Sequence, residues 1–287
     1  MITGSSGQVG SRLVQQLRGK VVLLALDHKA LDITKRQLVS KLVSDFQPDY
    51  IINAAAYTSV DRAEEEMETS YSINCDGPKY LAEAAQKSGA VLLHISTDYV
   101  FDGEGTVAYN ESSTTGPKGV YGKSKLAGEL AVAASCEKHL ILRTAWVFGE
   151  KGDNFVRTML RLAKKCDALS IVGDQFGGPT YAGDIAATII KMIEVISESN
   201  ESIWGTYHFS GLPHVSWYEF AREIFDVAER EGILMATPKL SPISTSEYPT
   251  PAKRPANSRM DCSKIQQKFN IQPSNWKHAL QNISAYK

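Results

Sequence analysis

Short apolar runs alternate with helical periodicities along the first half of the chain. A compact apolar run predicts a buried strand, whereas apolar residues spaced three and four apart predict an amphipathic helix. The strands predicted in this way are residues 20–27, 49–57, 90–96 and 139–149. The predicted helices are residues 34–46 with Thr34 as N-cap, 70–89 ending at Gly89, and 121–135. This alternation predicts βαβ units and a parallel sheet with helices on both faces.

The second half of the chain is less regular. Helical patterns cover residues 153–165, 182–197 and 216–231, and short strands are predicted at 169–172 and 205–209. Ser216 and Glu219 form the pattern of a capping box. A tract rich in proline and serine, residues 240–259, predicts an ordered loop.

These patterns predict a division of the chain into two parts. We expect a Rossmann-type, doubly wound α/β domain over residues 1–148, with residues 182–200 packing back on it. Residues 149–287 then form a smaller α/β substrate-binding part.

The chain opens with a glycine loop, MITGSSGQVG. Gly4, Gly7 and Gly10 follow the spacing G-x-x-G-x-x-G, and the helical pattern GSRLVQQLR comes next. Glycines allow the backbone to approach a pyrophosphate, whose charge then meets the N-terminus of the following helix. Because few residues precede the loop, we expect either a very short first strand beside residues 21–26 or a numbering that omits a few upstream residues.

Asp27 strengthens the interpretation of the glycine loop. It ends the predicted strand 20–27, close to the spacing at which an acid contacts the adenosine ribose of a dinucleotide. An acid here suits NADH, because it would repel the 2′-phosphate of NADPH. His28 and Lys29 follow directly and could neutralise such a phosphate.

The segment YGKSK carries a pattern for proton transfer. Tyr121 and Lys125 are four residues apart on a predicted helix and therefore share one face. A nearby ammonium lowers the pKa of a phenol, so Tyr121 is expected to act as a proton donor in ketone reduction by a nicotinamide. Ser96, Thr97 and Asp98 end a predicted strand, where the carboxyl ends of parallel strands line a ligand crevice.

Composition excludes several other classes of function. The formal net charge of −1 gives no general attraction to nucleic acid or membrane surfaces. The four cysteines form no CxxC pair, the histidines show no ligand spacing, and the longest apolar run, residues 21–26, is too short to span a bilayer. With no export leader recognised, we expect a cytoplasmic protein that binds neither nucleic acid nor membrane.

Together these residues resemble the extended short-chain dehydrogenase/reductases, and within them the dTDP-4-dehydrorhamnose reductase family. The resemblance covers nearly the whole chain in order. It rests on the segments GSSGQVG, NAAAYTSVDRAE, STDYVFDG, VYGKSKLAGE, LRTAWVFG, NFVRTMLRLAKK, DQFGGPTYAGDIA and YPTPAKRPANSR. It implies hydride transfer from NAD(P)H to the 4-keto group of dTDP-4-dehydro-L-rhamnose, which forms dTDP-L-rhamnose for polysaccharide biosynthesis.

The resemblance also implies roles for individual residues. Thr97 would hydrogen-bond the keto oxygen, Tyr121 would protonate it, and Lys125 would tune Tyr121 and hold the nicotinamide ribose. The implied cofactor contacts, besides Tyr121 and Lys125, are Gly4, Gly7, Gln8, Val9, Asp27, Asp32, Ile33, Ala54, Ala55, Ala56 and Tyr57. The implied substrate contacts, besides Thr97, are Asp98, Tyr99, Trp146 and Arg254. Trp146 could instead be a core aromatic, and Arg254 could instead attach its loop to the core.

The family favours NADP(H), with NAD(H) as the alternative, and we expect a monomer or homodimer. Some members form metal-bridged dimers through acids near the first helix, but that helix carries Arg12 and no acid, so no metal is predicted. Two other interpretations stay open at this point. One is another extended sugar-nucleotide enzyme, an epimerase or dehydratase, although Asp98-Tyr99 replaces the usual dehydratase acid pair. The other is a non-catalytic dinucleotide-binding regulatory subunit, related to that of methionine adenosyltransferase.

Overall fold

The computed structural model describes residues 1–198 and 203–286, and its helices and strands alternate through most of the chain. The strands are β1 Ile2–Thr3, β2 Ala25–Leu26, β3 Tyr50–Asn53, β4 Val91–Thr97, β5 His139–Thr144, β6 Val147–Phe148, β7 Ala168–Val172, β8 Phe176–Gly177, β9 Thr180–Tyr181, β10 Gly205–His208, β11 Val215–Ser216, β12 Lys239–Ile243 and β13 Asn257–Ser258. The α-helices are α1 Gln8–Leu17, α2 Arg36–Phe46, α3 Met67–Tyr71, α4 Gly77–Ser88, α5 Val120–Ser135, α6 Phe155–Ala163, α7 Ala182–Glu198, α8 Trp217–Arg230, α9 Ser263–Phe269 and α10 Trp276–Leu280. Short 3-10 segments lie at Arg62–Glu64, Asp98–Val100, Thr245–Glu247 and Ile283–Tyr286.

A parallel sheet forms the centre of the described chain, in the order β10-β5-β4-β3-β1-β2. One apolar cluster includes Leu13 of α1 and Ile185 of α7. Another cluster includes Val39 of α2 and Leu81 of α4. The predicted doubly wound Rossmann-type α/β architecture is confirmed.

The first strand is as short as the position of the glycine loop predicts. Ile2 and Thr3 pair with β2 on one side and with β3 on the other, and the Ile2 side chain is fully buried. Two residues therefore suffice to join the loop to the sheet, because both of them lie between neighbouring strands.

The prediction of a buried strand over residues 20–27 is wrong in extent. Only Ala25 and Leu26 pair with β1, and Val21 and Val22 are 53% and 88% exposed. The reason is that β2 is the edge strand of the described sheet. An edge strand has a neighbour on one side only, so the residues that precede it stay exposed to solvent.

One helix start and the interior of one helix differ from the sequence prediction, whereas two helix ends agree with it. Helix α2 begins at Arg36, because the Asp32 carboxylate accepts hydrogen bonds from the Thr34 amide and hydroxyl and so holds Thr34 in a turn. The helix predicted over 70–89 contains a π segment, Ser72–Asp76, before α4. Gly89 ends α4 with φ +79°, and the capping box of Ser216 and Glu219 is present, so both of these predictions are confirmed.

The second half contributes to the central sheet as well as to smaller sheets. Strand β10 pairs with β5, and α7 packs along α1, whereas residues 199–200 of the predicted segment 182–200 lie outside the described residues. The proline-rich tract is ordered and includes part of β12 and all of β13. The division at residue 148 stays a prediction. Across the described ranges, none of the helices combines the length and apolar character needed to cross a bilayer.

Candidate active site

The carboxyl ends of the central strands open into a cavity of about 720 Å³. Such an edge is where open parallel sheets bind ligands. The predicted site residues that line this cavity are Gly7, Gln8, Val9, Ala54, Ala55, Ala56, Thr97, Asp98, Tyr99, Tyr121, Lys125 and Trp146. The structure therefore brings residues from five separate segments to one place.

The glycine loop makes a tight turn between β1 and α1. Gly4 has φ +67°, and a Cβ there would lie 2.5 Å from the Ala55 amide nitrogen. A Cβ on Gly10 would collide with the carbonyl of Gly4. Gly7 is the N-cap of α1 and offers no side-chain cap, so the amides of the first turn stay open toward the cavity. This arrangement fits the pyrophosphate of a dinucleotide cofactor.

The residues predicted near the adenosine lie apart from the lining of this cavity. Asp27 Oδ1 accepts hydrogen bonds from the amides of Lys29 and Ala30, each at 3.0 Å, and these bonds lower the pKa of the carboxyl group. Asp32 caps the turn before α2. The Ile33 side chain is buried in the core, where it lies against Gly77.

Tyr57 follows the three alanines but points its hydroxyl elsewhere. Its phenol donates to Glu66 Oε2 at 2.7 Å, and its amide donates to Asn74. The ring packs in a small apolar cluster that includes Tyr121. Tyr57 thus supports the wall behind Tyr121.

Tyr121 and Lys125 lie one turn apart on α5, and both side chains are buried. Burial raises the pKa of Tyr121 well above its ordinary value, and the neighbouring Thr97 hydroxyl offsets part of that rise. Burial lowers the pKa of Lys125 to about 8, and the Lys125 amine donates to the Ile95 carbonyl at 2.7 Å. The expected lowering of the Tyr121 pKa by Lys125 is therefore wrong in this structure, because desolvation dominates.

Thr97 ends β4 and serves as the cap of the 3-10 turn that follows. Its hydroxyl accepts from the Tyr99 amide and donates to Asp98 Oδ1 at 3.0 Å. Asp98 Oδ2 is buried without a hydrogen-bond partner among the described residues. Burial raises the pKa of Asp98 to about 6, and the nearby hydroxyl groups of Ser258 and Thr97 offset part of that rise. A desolvated acid among the residues that line the cavity is a candidate group for binding a polar ligand.

A second cavity, of about 780 Å³, adjoins the first. The two share Thr58, Val60, Tyr99 and Trp146 as lining residues. Trp146 has φ +49° and stacks on Trp217 with ring centroids 3.5 Å apart. Trp146 is thus both packed against an aromatic neighbour and exposed to the two cavities.

Arg254 reaches the second cavity from the proline-rich tract. It pairs with Asp61 at 2.5 Å, which attaches its loop to the segment after β3, while Nη1 is buried without a partner in the described ranges. A half-buried guanidinium with one nitrogen left without a partner suits an anionic group such as a diphosphate. Sequence reasoning missed Asp61 and Trp217. Asp61 stands in the segment TSVD directly after the alanines, whereas nothing in the sequence marks Trp217.

Comparisons with known proteins place this chain among sugar-nucleotide reductases. The family model described as the RmlD substrate binding domain matches residues 1–286. A dTDP-4-dehydrorhamnose reductase of Aggregatibacter actinomycetemcomitans is 52% identical over 288 residues, which cover 100% of this chain and 98% of that protein.

Solved structures agree with this assignment. A dTDP-4-dehydrorhamnose reductase from Bacillus anthracis in complex with NADP superposes with a TM-score of 0.91 and 38% identity, covering 100% of this chain and 98% of that chain. One from Clostridium acetobutylicum gives 0.90 and 41%, with coverage of 98% and 96%. The chain therefore belongs to the RmlD family, the family of the dTDP-4-dehydrorhamnose reductases.

Proposed function

We propose that this protein reduces the 4-keto group of dTDP-4-dehydro-L-rhamnose with NADPH, or alternatively with NADH, to form dTDP-L-rhamnose. One observation carries the proposal. Thr97, Tyr121 and Lys125 line the same cavity as the open helix N-terminus at Gly7, and a second cavity continues from it.

The proposed chemistry divides between the cofactor and the chain. When bound, NADPH supplies the hydride that reduces the keto carbon. Tyr121 holds its phenolic proton at neutral pH, because burial raises its pKa, and it donates that proton to the substrate oxygen. Thr97 turns its hydroxyl from Asp98 to the same oxygen, and Lys125 binds the nicotinamide ribose. Each of these roles is a proposal for this chain.

The sugar nucleotide is proposed to occupy the second cavity. Arg254 would contact the diphosphate through its unpaired nitrogen, and Trp146 would lie beside the sugar. Tyr99 lines both cavities and Asp98 lines the first one beside it, so the reacting sugar is proposed to lie next to them. In this arrangement residues 1–148 bind the cofactor, and residues 149–287 supply most of the walls around the nucleotide.

The preference for NADPH is supported by the turn at Asp27. One oxygen of Asp27 is already occupied by the amides of Lys29 and Ala30, and His28 and Lys29 stand beside it. A relative from Bacillus anthracis was solved with NADP. We place the enzyme in the cytoplasm, as a monomer or homodimer. The regulatory and epimerase interpretations are not favoured, since relatives matched along the whole chain are named reductases.

The test is a reductase assay on purified protein with dTDP-4-dehydrorhamnose and either NADPH or NADH, followed by nicotinamide absorbance. We expect oxidation of NADPH that depends on the sugar nucleotide. The variant Tyr121→Phe should lose about 10²–10⁴-fold in kcat, because it removes the proton donor, and should still bind NADPH in a fluorescence titration. Folded protein that oxidises neither cofactor would refute the function, and near-normal turnover in the variant would refute the role of Tyr121.

A further inference from the structure

A buried row of polar side chains crosses the sheet and ends at Lys125. Thr3 on β1, Asn53 on β3 and His94 on β4 lie side by side in register, and all three are at most 1% exposed. Thr3 Oγ1 lies 2.7 Å from Asn53 Oδ1, Asn53 Nδ2 lies 3.0 Å from His94 Nδ1, and His94 Nε2 lies 3.5 Å from Lys125 Nζ. The reaction described above uses only the last of these four residues.

The hydrogen bonds of Asn53 determine the tautomer of His94. Asn53 Oδ1 accepts from the Ala55 amide at 3.1 Å, as well as from Thr3. An amide nitrogen of the backbone can only donate, so this end of the Asn53 side chain must be the oxygen. The other end is then the NH₂ group, which donates to His94 Nδ1. His94 must therefore carry its proton on Nε2.

In this tautomer the Nε2–H group of His94 points toward the Lys125 side-chain nitrogen as a hydrogen-bond donor. A protonated Lys125 has donors only, so its ammonium and the Nε2–H group of His94 would oppose each other. An uncharged Lys125 amine accepts from His94 and still donates to the Ile95 carbonyl at 2.7 Å. The packing of these groups therefore favours the amine over the ammonium.

Other groups face Lys125 from the elements around it. Glu129 lies one turn further along α5 and raises the pKa of Lys125, but both of its oxygens are engaged by Arg143 of β5 at 2.6 and 2.9 Å. The remaining titratable side chains that line the same cavity are Asp98, Tyr99, Tyr121 and Asp153. Burial lowers the pKa of Lys125 to about 8, in the same direction as the His94 contact.

We propose that Asn53 and His94 are positioning residues that act through Lys125: Asn53 holds His94 in the Nε2-protonated tautomer, and His94 thereby favours the uncharged Lys125 amine. Lys125 then exchanges protons near neutral pH during turnover, instead of serving only as a fixed positive charge. This inference rests on the proposed function for the role of Lys125 in catalysis, whereas the state of its amine can be measured without turnover.

The decisive variant is Asn53→Asp, which keeps the shape of the side chain and replaces the NH₂ donor by an oxygen. His94 must then protonate Nδ1, and its Nε2 lone pair turns toward Lys125 and accepts from the ammonium. Long-range ¹H–¹⁵N spectra of the cofactor-free protein report the tautomer, and ¹³C shifts of labelled lysine report the Lys125 pKa. We expect Nε2 protonation in the parent protein and a rise of the Lys125 pKa by about one unit in the variant, a tenfold change in proton affinity. The limb of the kcat–pH profile that follows Lys125 should move by the same amount.

Two further variants keep the inference falsifiable. His94→Gln removes the ring donor and should also raise the Lys125 pKa, so it replaces Asn53→Asp if that protein does not fold. Asn257→Asp is the matched control, because Asn257 is buried and donates to the Val107 carbonyl away from Lys125, and it should leave the Lys125 pKa unchanged.

A proton on Nδ1 in the parent protein would overturn the inference. An unchanged Lys125 pKa in whichever of the Asn53 and His94 variants folds would overturn it too, as would an equal shift in the control. If the spectra show the expected tautomer and pKa shifts but the protein has no reductase activity, the proposed function is refuted and this inference is still supported.

Discussion

Replacing Asp98 by asparagine should make the protein more stable and the enzyme less effective. Asp98 is 4% exposed, and its Oδ2 atom has no hydrogen-bond partner in the described part of the chain. The substitution Asp98→Asn keeps the size of the side chain and removes the charge that burial penalises.

The size of the effect follows from the pKa of Asp98. Burial raises it from the ordinary 3.8 to about 6, a change of about 2 units, and each unit corresponds to about 1.4 kcal/mol. For an acid with a raised pKa, the folded state binds its proton more tightly than the unfolded state. Its stability contribution is therefore present at low pH and is lost as the pH rises through about 6. The variant should gain about 3 kcal/mol over the parent at pH 8, and about half of that at pH 5.

The assay is urea denaturation of both proteins between pH 5 and 8, which yields the free energy of unfolding at each pH. Asp102→Asn is the control with the opposite sign. The hydrogen bond from Tyr109 lowers the pKa of Asp102, so loss of its charge should cost stability, by an amount that stays constant from pH 5 to pH 8 because the carboxyl group is ionised throughout that range. In the reductase assay, Asp98→Asn should raise the KM for the sugar nucleotide.

A stability difference between parent and Asp98→Asn that stays constant from pH 5 to pH 8 would contradict this reasoning. The reasoning would also be contradicted if the parent protein became more stable relative to the variant as the pH rises. Either result would mean that Asp98 is better solvated or better paired than its burial indicates.

Two other substitutions test charged residues in and near the site. Glu129→Gln leaves the buried Arg143 without its carboxylate partner. The free energy of unfolding, measured by urea titration, should fall by about 3–5 kcal/mol. A loss below about 1 kcal/mol would contradict the importance of this pair. Arg254→Lys keeps a positive charge but loses the bidentate hydrogen bonding of the guanidinium. The KM for the sugar nucleotide should therefore rise about tenfold with little change in kcat. An unchanged KM would argue against the proposed diphosphate contact.

Much of the fold was predictable because the signals are local. The helix that carries Tyr121 and Lys125 was expected over 121–135 and spans Val120–Ser135. Strand β4 likewise ends at Thr97, where its apolar run stops. The apolar run at 20–27 led to the prediction of too long a buried strand, because the sequence alone does not reveal that this strand lies at the edge of the sheet.

Predictions that depended on surroundings fared less well. A Tyr-x-x-x-Lys spacing suggested a lowered phenol pKa, but burial, which the spacing does not encode, dominates at Tyr121. Asp61 and Arg254 form an ion pair although they are 193 positions apart in the chain, so the sequence around either residue does not predict this contact.

The sequence by itself determined the order of strands and helices, the glycine turn before α1, and the placement of Tyr121 and Lys125 on one helical face. These features depend on periodicity, capping and backbone freedom, which act over a few residues. Only the tertiary structure decided which of those side chains are desolvated, which oxygen of Asp98 is left without a partner, and which nitrogen of His94 faces Lys125. Such properties arise from groups brought together by the sheet, and their energies depend on burial and distance, which the order of residues does not state.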